Sequence, residues 1–325
     1  MIAGIPKRVL RKYFYELKLP ISYNKASQAV ASCLAETRLP KGVNASDLVT
    51  LKRALETWRR RESTVSRLAV EAEMALLETA AEMGDRAAIA LLCGARLSEK
   101  SATEQDWKDG SDLLKKLMDR KFPLAYKISG DLAYKLGQLA QATKFYQLAV
   151  DDGLEDNRLQ TECWRNIGHL SFKQGDLSRA LSAFSEACQH AADSRQVADC
   201  HFFLAQLREA NREASRAHLE MAAFHGLSDA FVPLGMLLLN YFGEAALAKH
   251  WLALALVTDK SGAAAVGLFD AAMRLKDYSL AQSALSRVRA HPNAEELVKT
   301  RTDSIQELAL ATTETTAVAG DRWSF

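Results

Sequence analysis

The sequence predicts an all-α fold, and three features of its composition point there. Alanine and leucine, both strong helix formers, supply 53 and 46 of the 325 residues. Proline, the strongest helix breaker, occurs six times, and only two prolines interrupt residues 41–291. The hydrophobic fraction of 48% is too high for a mostly disordered chain. A β-rich fold is therefore excluded, and the length allows one or two globular domains or one elongated helical array.

Residues 1–63 form a basic helical N-terminal region. Helices are predicted near residues 5–18, 24–38 and 47–61. Pro20 and Pro40 separate these helices, since proline cannot continue a helix from within. Asn44 and Asp47 place capping groups at the start of the third helix, and its last turn carries three arginines that suit the negative end of the dipole.

The charge of the chain is unevenly distributed. Residues 1–67 carry a net +9 and the remainder a net −7, which together give the overall +2. The first helix is basic, amphipathic and poor in acids, which is typical of a mitochondrial transit segment. Its low serine content leaves an ordinary basic helix as the alternative. The basic arm also favours peripheral contact with a membrane or another anionic surface. No apolar run is long enough to span a membrane.

An internal repeat begins after residue 63. Two segments align without gaps, one starting at Pro123 and the other at Thr161. The aligned pairs are Tyr126 with Trp164, Gly130 with Gly168, Gly137 with Gly175, Ala142 with Ala180, Tyr146 with Phe184, and Ala149 with Ala187. The second glycine of each segment predicts a turn between two antiparallel helices, and the small residues allow close packing. The aromatic residue fills the wedge between neighbouring hairpins. One hairpin cannot bury its apolar face alone, so neighbours must stack.

This pattern of glycine, alanine and aromatic residues resembles the tetratricopeptide repeat (TPR) and its Sel1-like relatives. The resemblance covers residues 64–290 and becomes less regular after the two gapless segments. It implies a right-handed α-solenoid of stacked antiparallel helical hairpins. Residues 291–325 are then expected to hold a last helix and, from about residue 311, a disordered tail.

The resemblance also implies a binding surface. In this family the first helices of successive units line a concave face. Mapped onto this chain, that face carries the eight residues that we call the predicted groove: Lys127, Asp131, Tyr134, Arg165, His169, Phe172, Phe202 and Gln206. Mixed charge with aromatic anchors suits a protein or peptide segment. A solvated helix face without a ligand is the alternative.

Sequence motifs for chemistry are missing. The chain has no nucleotide-binding, metalloprotease or serine-hydrolase motif, so we expect no catalytic residues, no cofactor and no small-molecule substrate. Five dispersed cysteines without a CxxC pair favour small buried thiols. The pairs Cys188 with His190 and Cys200 with His201 come nearest to a ligand cluster, but their spacing on a helix points them apart, and no metal site is expected. The acidic charge of the repeat region and the irregular spacing of its repeats disfavour nucleic acid as a binding partner.

The sequence therefore predicts a non-enzymatic scaffold or assembly factor that binds a protein segment in a TPR groove. In broad outline it resembles the TPR assembly factors on the matrix side of the mitochondrial inner membrane, which help build respiratory complexes, including export of cytochrome oxidase subunits. That likeness rests on the predicted helical-repeat architecture and the predicted mitochondrial localisation. The alternatives are a cytoplasmic Sel1-like adaptor in signalling or protein degradation, and a mitochondrial helical-repeat factor for RNA processing or translation.

Overall fold

A computed structural model describes residues 2, 5–63, 66–99 and 101–320, with the backbone alone for 313–320. This described part is built from helices joined by short turns, and it contains no strand. None of its helices is long and apolar enough to cross a membrane. The predicted all-α class is confirmed. The chain divides into two compact units, Met1–Asn166 and Ile167–Phe325, and each is described separately below.

The first unit is a succession of helices that pack against their sequence neighbours. Its elements are α1 (Lys7–Glu16), α2 (Tyr23–Leu34), α3 (Ala45–Arg61), α4 (Arg67–Glu82), α5 (Arg86–Ser98), α6 (Glu104–Asp119), α7 (Pro123–Lys135), α8 (Leu139–Asp151) and the start of α9 (Asn157–Lys173). The three predicted N-terminal helices are present, and α2 ends four residues before the predicted position. At the start of α3 the backbone N–H of Asn44 donates to the Asp47 carboxylate at 2.9 Å, which secures the predicted cap.

The N-terminal helices and α4 share one core. Leu10 of α1, Leu48 of α3 and Leu76 of α4 are fully buried in the same cluster. The predicted division at residues 63 and 64 therefore lies inside a continuous core. The apolar side of α1, which suggested a transit segment, is packed here through Tyr13 and Phe14. The first helix is thus a structural part of the first unit.

The first gapless repeat segment forms the hairpin of α7 and α8. Gly137 supplies its turn with φ of +75°, a conformation that L side chains rarely adopt. A Cβ on Gly130 would lie 2.8 Å from the Tyr146 ring, so only glycine at this position leaves enough space for the ring. Tyr146 is 1% exposed. The aromatic residue of the repeat thus packs on the first glycine of its own hairpin.

The second unit continues the arrangement of packed helices. Its elements are the end of α9, α10 (Leu177–His190), a 3₁₀ turn (Ser194–Val197), α11 (Ala198–Leu207), α12 (Arg212–Phe224), a 3₁₀ turn (Ser228–Ala230), α13 (Phe231–Leu237), a π segment (Leu238–Phe242), α14 (Ala245–Ala255), α15 (Ala263–Arg274), α16 (Tyr278–Arg289), α17 (Ala294–Lys299) and α18 (Thr302–Gly320). Gly175 turns between α9 and α10 with φ of +79°, and a Cβ on Gly168 would lie 2.6 Å from Phe184. The packing of a large side chain on a glycine recurs between α13 and α14, where Leu252 packs on Gly235.

The C-terminal segment differs from the expectation. We predicted a disordered tail from about residue 311, but α18 runs to Gly320. Alanine, which is frequent there, favours this continuation, and the composition argument for disorder gave too little weight to it. The terminal aromatics Trp323 and Phe325 lie outside the described residues.

Candidate functional site

The charged residues of the predicted groove in the first unit are engaged with one another. The ammonium of Lys127 lies 2.7 Å from the Asp131 carboxylate and 3.2 Å from that of Glu162. The hydroxyl of Tyr146 donates to the other oxygen of Asp131 at 2.9 Å. Lys127 and Asp131 sit one turn apart on α7, while Glu162 comes from α9. The four side chains form an internal polar network that ties α7 to α8 and α9.

The surroundings of this network explain its charge states. Burial disfavours the charged ammonium of Lys127, but Asp131 and Glu162 outweigh burial and raise its pKa. Burial, followed by the nearby Asp131 charge, raises the pKa of Tyr146, so its hydroxyl remains a donor. The charges of Lys127 and Asp131 are therefore balanced within the protein. A partner could pair with them only at the expense of these internal bonds.

Two further residues of the predicted groove belong to the first unit. Tyr134, near the end of α7, is 43% exposed, and Arg165 on α9 is half-buried. Both make interactions within the protein. The indole N–H of Trp164, the repeat residue beside Arg165, is buried without a hydrogen-bond partner.

A cleft lies between the N-terminal helices and the hairpin of α7 and α8. This first-unit cleft has a volume of about 570 Å³. Its wall residues come from α3, α5, the start of α7 and the segment from α8 into α9: Val49, Lys52, Arg53, Glu56, Ala87, Leu91, Phe122, Pro123, Leu124, Asp152, Gly153, Leu154, Glu155, Asp156, Arg158 and Leu159. The volume falls in the range of pockets that hold a ligand or several side chains of a bound segment.

The polar rim of the first-unit cleft is largely self-paired. Arg53 reaches Asp156 at 2.8 Å, and Lys52 reaches Glu56 at 2.7 Å. Burial would raise the pKa of Glu56, but the neighbouring cations, Lys52 first, lower it overall, so this carboxylate stays ionised. Between these pairs lie aliphatic and aromatic side chains such as Leu91. The cleft therefore combines apolar side chains with a rim on which all three cations are paired, which suits apolar side chains better than an acidic group.

Sequence reasoning missed the first-unit cleft. Its walls come from α3 and α5 as well as from α7 and the α8–α9 loop, and our search followed only the first helices of the repeat units. The acidic loop at residues 151–156 was visible in the sequence, but without the fold it read as solvent-exposed. In the structure Asp156 caps α9, since its carboxylate accepts from the Arg158 N–H at 3.0 Å.

The groove residues of the second unit include an aromatic cluster. His169 Nε2 lies 2.8 Å from the Asp199 carboxylate. The ring of Phe203 stacks on Phe184 at 5.2 Å and meets Phe172 edge to face at 4.9 Å. Aromatic contacts of this kind add to the stability that area burial supplies. His169 and Phe172 are therefore fixed by neighbours, and Phe203, which the predicted groove omitted, is the centre of the cluster.

The last two groove residues line a smaller pocket. Phe202 and exposed Gln206 border an opening of about 180 Å³ between α11, α12 and α13. Glu209 and Arg212 form its polar side, and Leu219 contributes to its apolar side. The predicted groove thus consists of two separate sets, four residues in each unit. In the described part of the chain, no group of three or more His, Cys, Asp or Glu residues could hold a metal ion.

The sequence is similar to one family model and to one curated relative. The model of the MSS2 N-terminal domain matches residues 5–85. This match extends across α1 to α4, the helices that share the first core. The chain is also 26% identical to the protein MSS2, mitochondrial, of Saccharomyces cerevisiae, over 93% of this chain and 92% of the relative.

A comparison with solved structures gives matches to TPR proteins at TM-scores below 0.5. YrrB, described as a TPR protein with an unusual peptide-binding site, matches 62% of this chain and 96% of its own, with 16% identity and a TM-score of 0.44. Yeast Tom70 matches 100% of this chain and 65% of its own, with 14% identity and a TM-score of 0.41.

Proposed function

We propose that this protein is a non-enzymatic interaction scaffold, of the TPR or Sel1-like type, that holds an apolar segment of a partner protein. The observation that carries the proposal is the first-unit cleft, with its apolar floor and self-paired rim. Burying one aliphatic or aromatic side chain contributes about 1.5–3 kcal/mol. Two or three such side chains contribute about 3–9 kcal/mol, which offsets a large part of the cost of association of about 4–15 kcal/mol, and contacts outside the cleft supply the rest.

The proposed occupant is apolar because most of the charges that line the cleft are already paired. A charged partner group would have to displace Arg53 from Asp156 or Lys52 from Glu56. Breaking such a pair leaves a partly buried charge without its partner, which opposes binding. An apolar side chain can enter between the pairs and leave them intact. The predicted groove residues on α7, α9 and α11 extend this proposal as secondary contacts.

We further propose a mitochondrial address on the matrix side and a role in assembling respiratory complexes. The curated relative is named as mitochondrial, and the first helix is strongly basic. Lys7, Arg8, Arg11 and Lys12 of α1 are exposed, so the same helix that packs into the core presents cations to solvent. These cations support peripheral contact with an anionic membrane surface. Import of the full-length protein into isolated mitochondria, followed by protease treatment of mitoplasts, tests the address.

Site-specific photocrosslinking tests the binding proposal. Benzoylphenylalanine at Ala87, in the cleft wall, is expected to crosslink an apolar segment of a partner in intact mitochondria. A synthetic peptide of that segment should then bind the purified protein in a fluorescence anisotropy titration. Leu91→Glu places a charge on the cleft floor and should weaken binding at least about tenfold. Leu113→Glu is the control for the added charge, because Leu113 is 42% exposed on α6 and does not line the cleft, and urea unfolding of Leu91→Glu measures the separate effect of Leu91 on the first core.

The two variants separate the possible outcomes. Equal loss of binding in Leu91→Glu and Leu113→Glu would contradict a specific cleft. A crosslinked segment rich in charge would contradict the apolar occupant. Circular dichroism of both variants verifies that the helices remain folded.

A further inference from the structure

The charges that line the first-unit cleft do not balance within the protein. Each of its three cations is paired with a carboxylate; the pairs are Lys52 with Glu56, Arg53 with Asp156, and Arg158 with Glu162. Two further acids, Asp152 and Glu155, line the same cleft. Among the residues that the structure describes, neither of these two side chains has a hydrogen bond or an ion pair. The charge that the cleft leaves for a partner is therefore negative.

Both unpaired acids lie in the short loop that joins α8 to α9. Asp152 directly follows the last residue of α8 and is half-buried, whereas Glu155 is exposed. The loop itself is anchored, because Leu154 is 7% exposed and the Asp156 carboxylate lies 2.8 Å from Arg53. A partner therefore meets two accessible carboxylates on a loop that is already held against the protein.

The position of Asp152 is unfavourable for the protein without a partner. The C-terminal end of a helix is its negative end, where a cation stabilises and an acid does not. The last turn of α8 carries no basic residue, and it ends in Asp151. The negative charge acts as far as α7, because burial, followed by the charges of Asp152 and Asp119, raises the pKa of Tyr126. A cation supplied by a partner would relieve this repulsion.

We propose that the first-unit cleft selects a basic and apolar segment of a partner protein, in which a lysine or arginine next to the apolar side chains pairs with Asp152 and Glu155. Charge complementarity carries the proposal, since the cations of the cleft are paired and two of its acids are not. The apolar neighbours of the cation contact side chains such as Leu91 and Leu124. The inference rests on the proposed scaffold function and names the chemistry of the bound segment.

Selection from a phage-displayed library of random dodecapeptides tests the proposal, with the purified full-length protein as the target. Peptides enriched by the native protein should carry lysine or arginine beside leucine-like or aromatic residues. The double variant Asp152→Asn with Glu155→Gln should enrich apolar peptides without this excess of basic residues. Asp151→Asn is the matched control, because Asp151 does not line the cleft and asparagine keeps an acceptor for the Gln147 amide.

Fluorescence anisotropy with one enriched peptide measures the pairing directly. The double variant should bind this peptide about three- to tenfold more weakly at low salt, as expected for accessible ion pairs. Replacing the basic residue of the peptide by glutamine should have a similar effect, and the two changes together should cost little more than either alone. At about 0.5 M salt the difference should disappear, because the charges are screened. Asp152→Asn should not lower the urea midpoint, since it removes an acid from the negative end of α8.

Leu91→Gln separates failure of this inference from failure of the proposed function, because it removes an apolar contact of the cleft without adding a charge. Enriched peptides that depend on Leu91 but have no excess of basic residues would overturn the selection of a cation and leave the cleft in place. The same loss of basic preference in Asp151→Asn would overturn the assignment to Asp152 and Glu155. Enriched peptides that bind Leu91→Gln as tightly as the native protein, or no enrichment, would overturn the proposed function and this inference together.

Discussion

Replacing Gly168 by alanine tests whether a large side chain packs directly on the glycine of its hairpin, as it does in several repeat units. In the structure Phe184 occupies the space above Gly168, and an added Cβ would lie 2.6 Å from two atoms of the ring. Ordinary contacts of a Cβ are 3.4–4 Å. The ring or the helix must therefore move by about 0.8 Å or more. Phe184 is fully buried, so it has no solvent into which to rotate.

Two opposing contributions set the size of the effect. Alanine in place of glycine gains up to about 1 kcal/mol of helix propensity. Overpacking a rigid ring costs about 1–3 kcal/mol. We expect Gly168→Ala to lower the free energy of unfolding by about 1 kcal/mol. Gly110→Ala is the control, because its Cβ would meet only the end of the flexible Leu97 side chain at 3.1–3.2 Å, and it should be neutral or stabilising.

A double-mutant cycle isolates the contact. Phe184→Leu opens space above Gly168 and by itself costs about 1–2 kcal/mol. In the double variant the alanine should fit, so the double variant should be at least about 1 kcal/mol more stable than the sum of the single changes. Urea unfolding followed by circular dichroism measures each free energy. Additive effects within about 0.5 kcal/mol would refute direct packing of Phe184 on Gly168.

Two other predictions concern α1 and His218. Removing residues 1–20 deletes Leu10, Tyr13 and Phe14 from the first core and should lower the free energy of unfolding by about 5 kcal/mol in a urea titration. Arg11→Ala, at an exposed position, should be neutral. An unchanged unfolding midpoint in the truncated protein would contradict the packing of α1. Burial lowers the pKa of His218 from its ordinary 6.5 to about 4 in the folded state. The unfolded chain therefore takes up the proton first, and stability should fall as the pH drops from 6.5 towards 4. The loss should be about 1 kcal/mol, since partial exposure screens the effect, and thermal melts at several pH values should show a flatter profile for His218→Gln.

The sequence was sufficient for the helices and for the hairpin turns because these depend on local signals. Gly137 and Gly175 lie in the predicted turns, and each has a positive φ. The partners of the first glycines were less certain, since alignment alone does not say which side chain stands opposite. The structure places the rings of Tyr146 and Phe184 there.

Long-range contacts limited the prediction of the site. The bond between Tyr146 and Asp131 spans 15 residues, and the contact of Arg53 with Asp156 joins α3 to the start of α9. No periodic pattern encodes such pairs, because each needs the relative position of two elements.

The internal pairing of the groove charges changes what a mutation there would report. Lys127 is held by two carboxylates and is 14% exposed, so its removal leaves Asp131 without this cation and Glu162 with Arg158 alone. The main effect would then be on the packing of α7 against α9, and a loss of binding would be indirect. Leu91 has no such role in an ion pair; it lines the cleft and packs against the first core. A substitution there leaves the ion pairs intact, so a binding titration combined with an unfolding measurement separates recognition from stability.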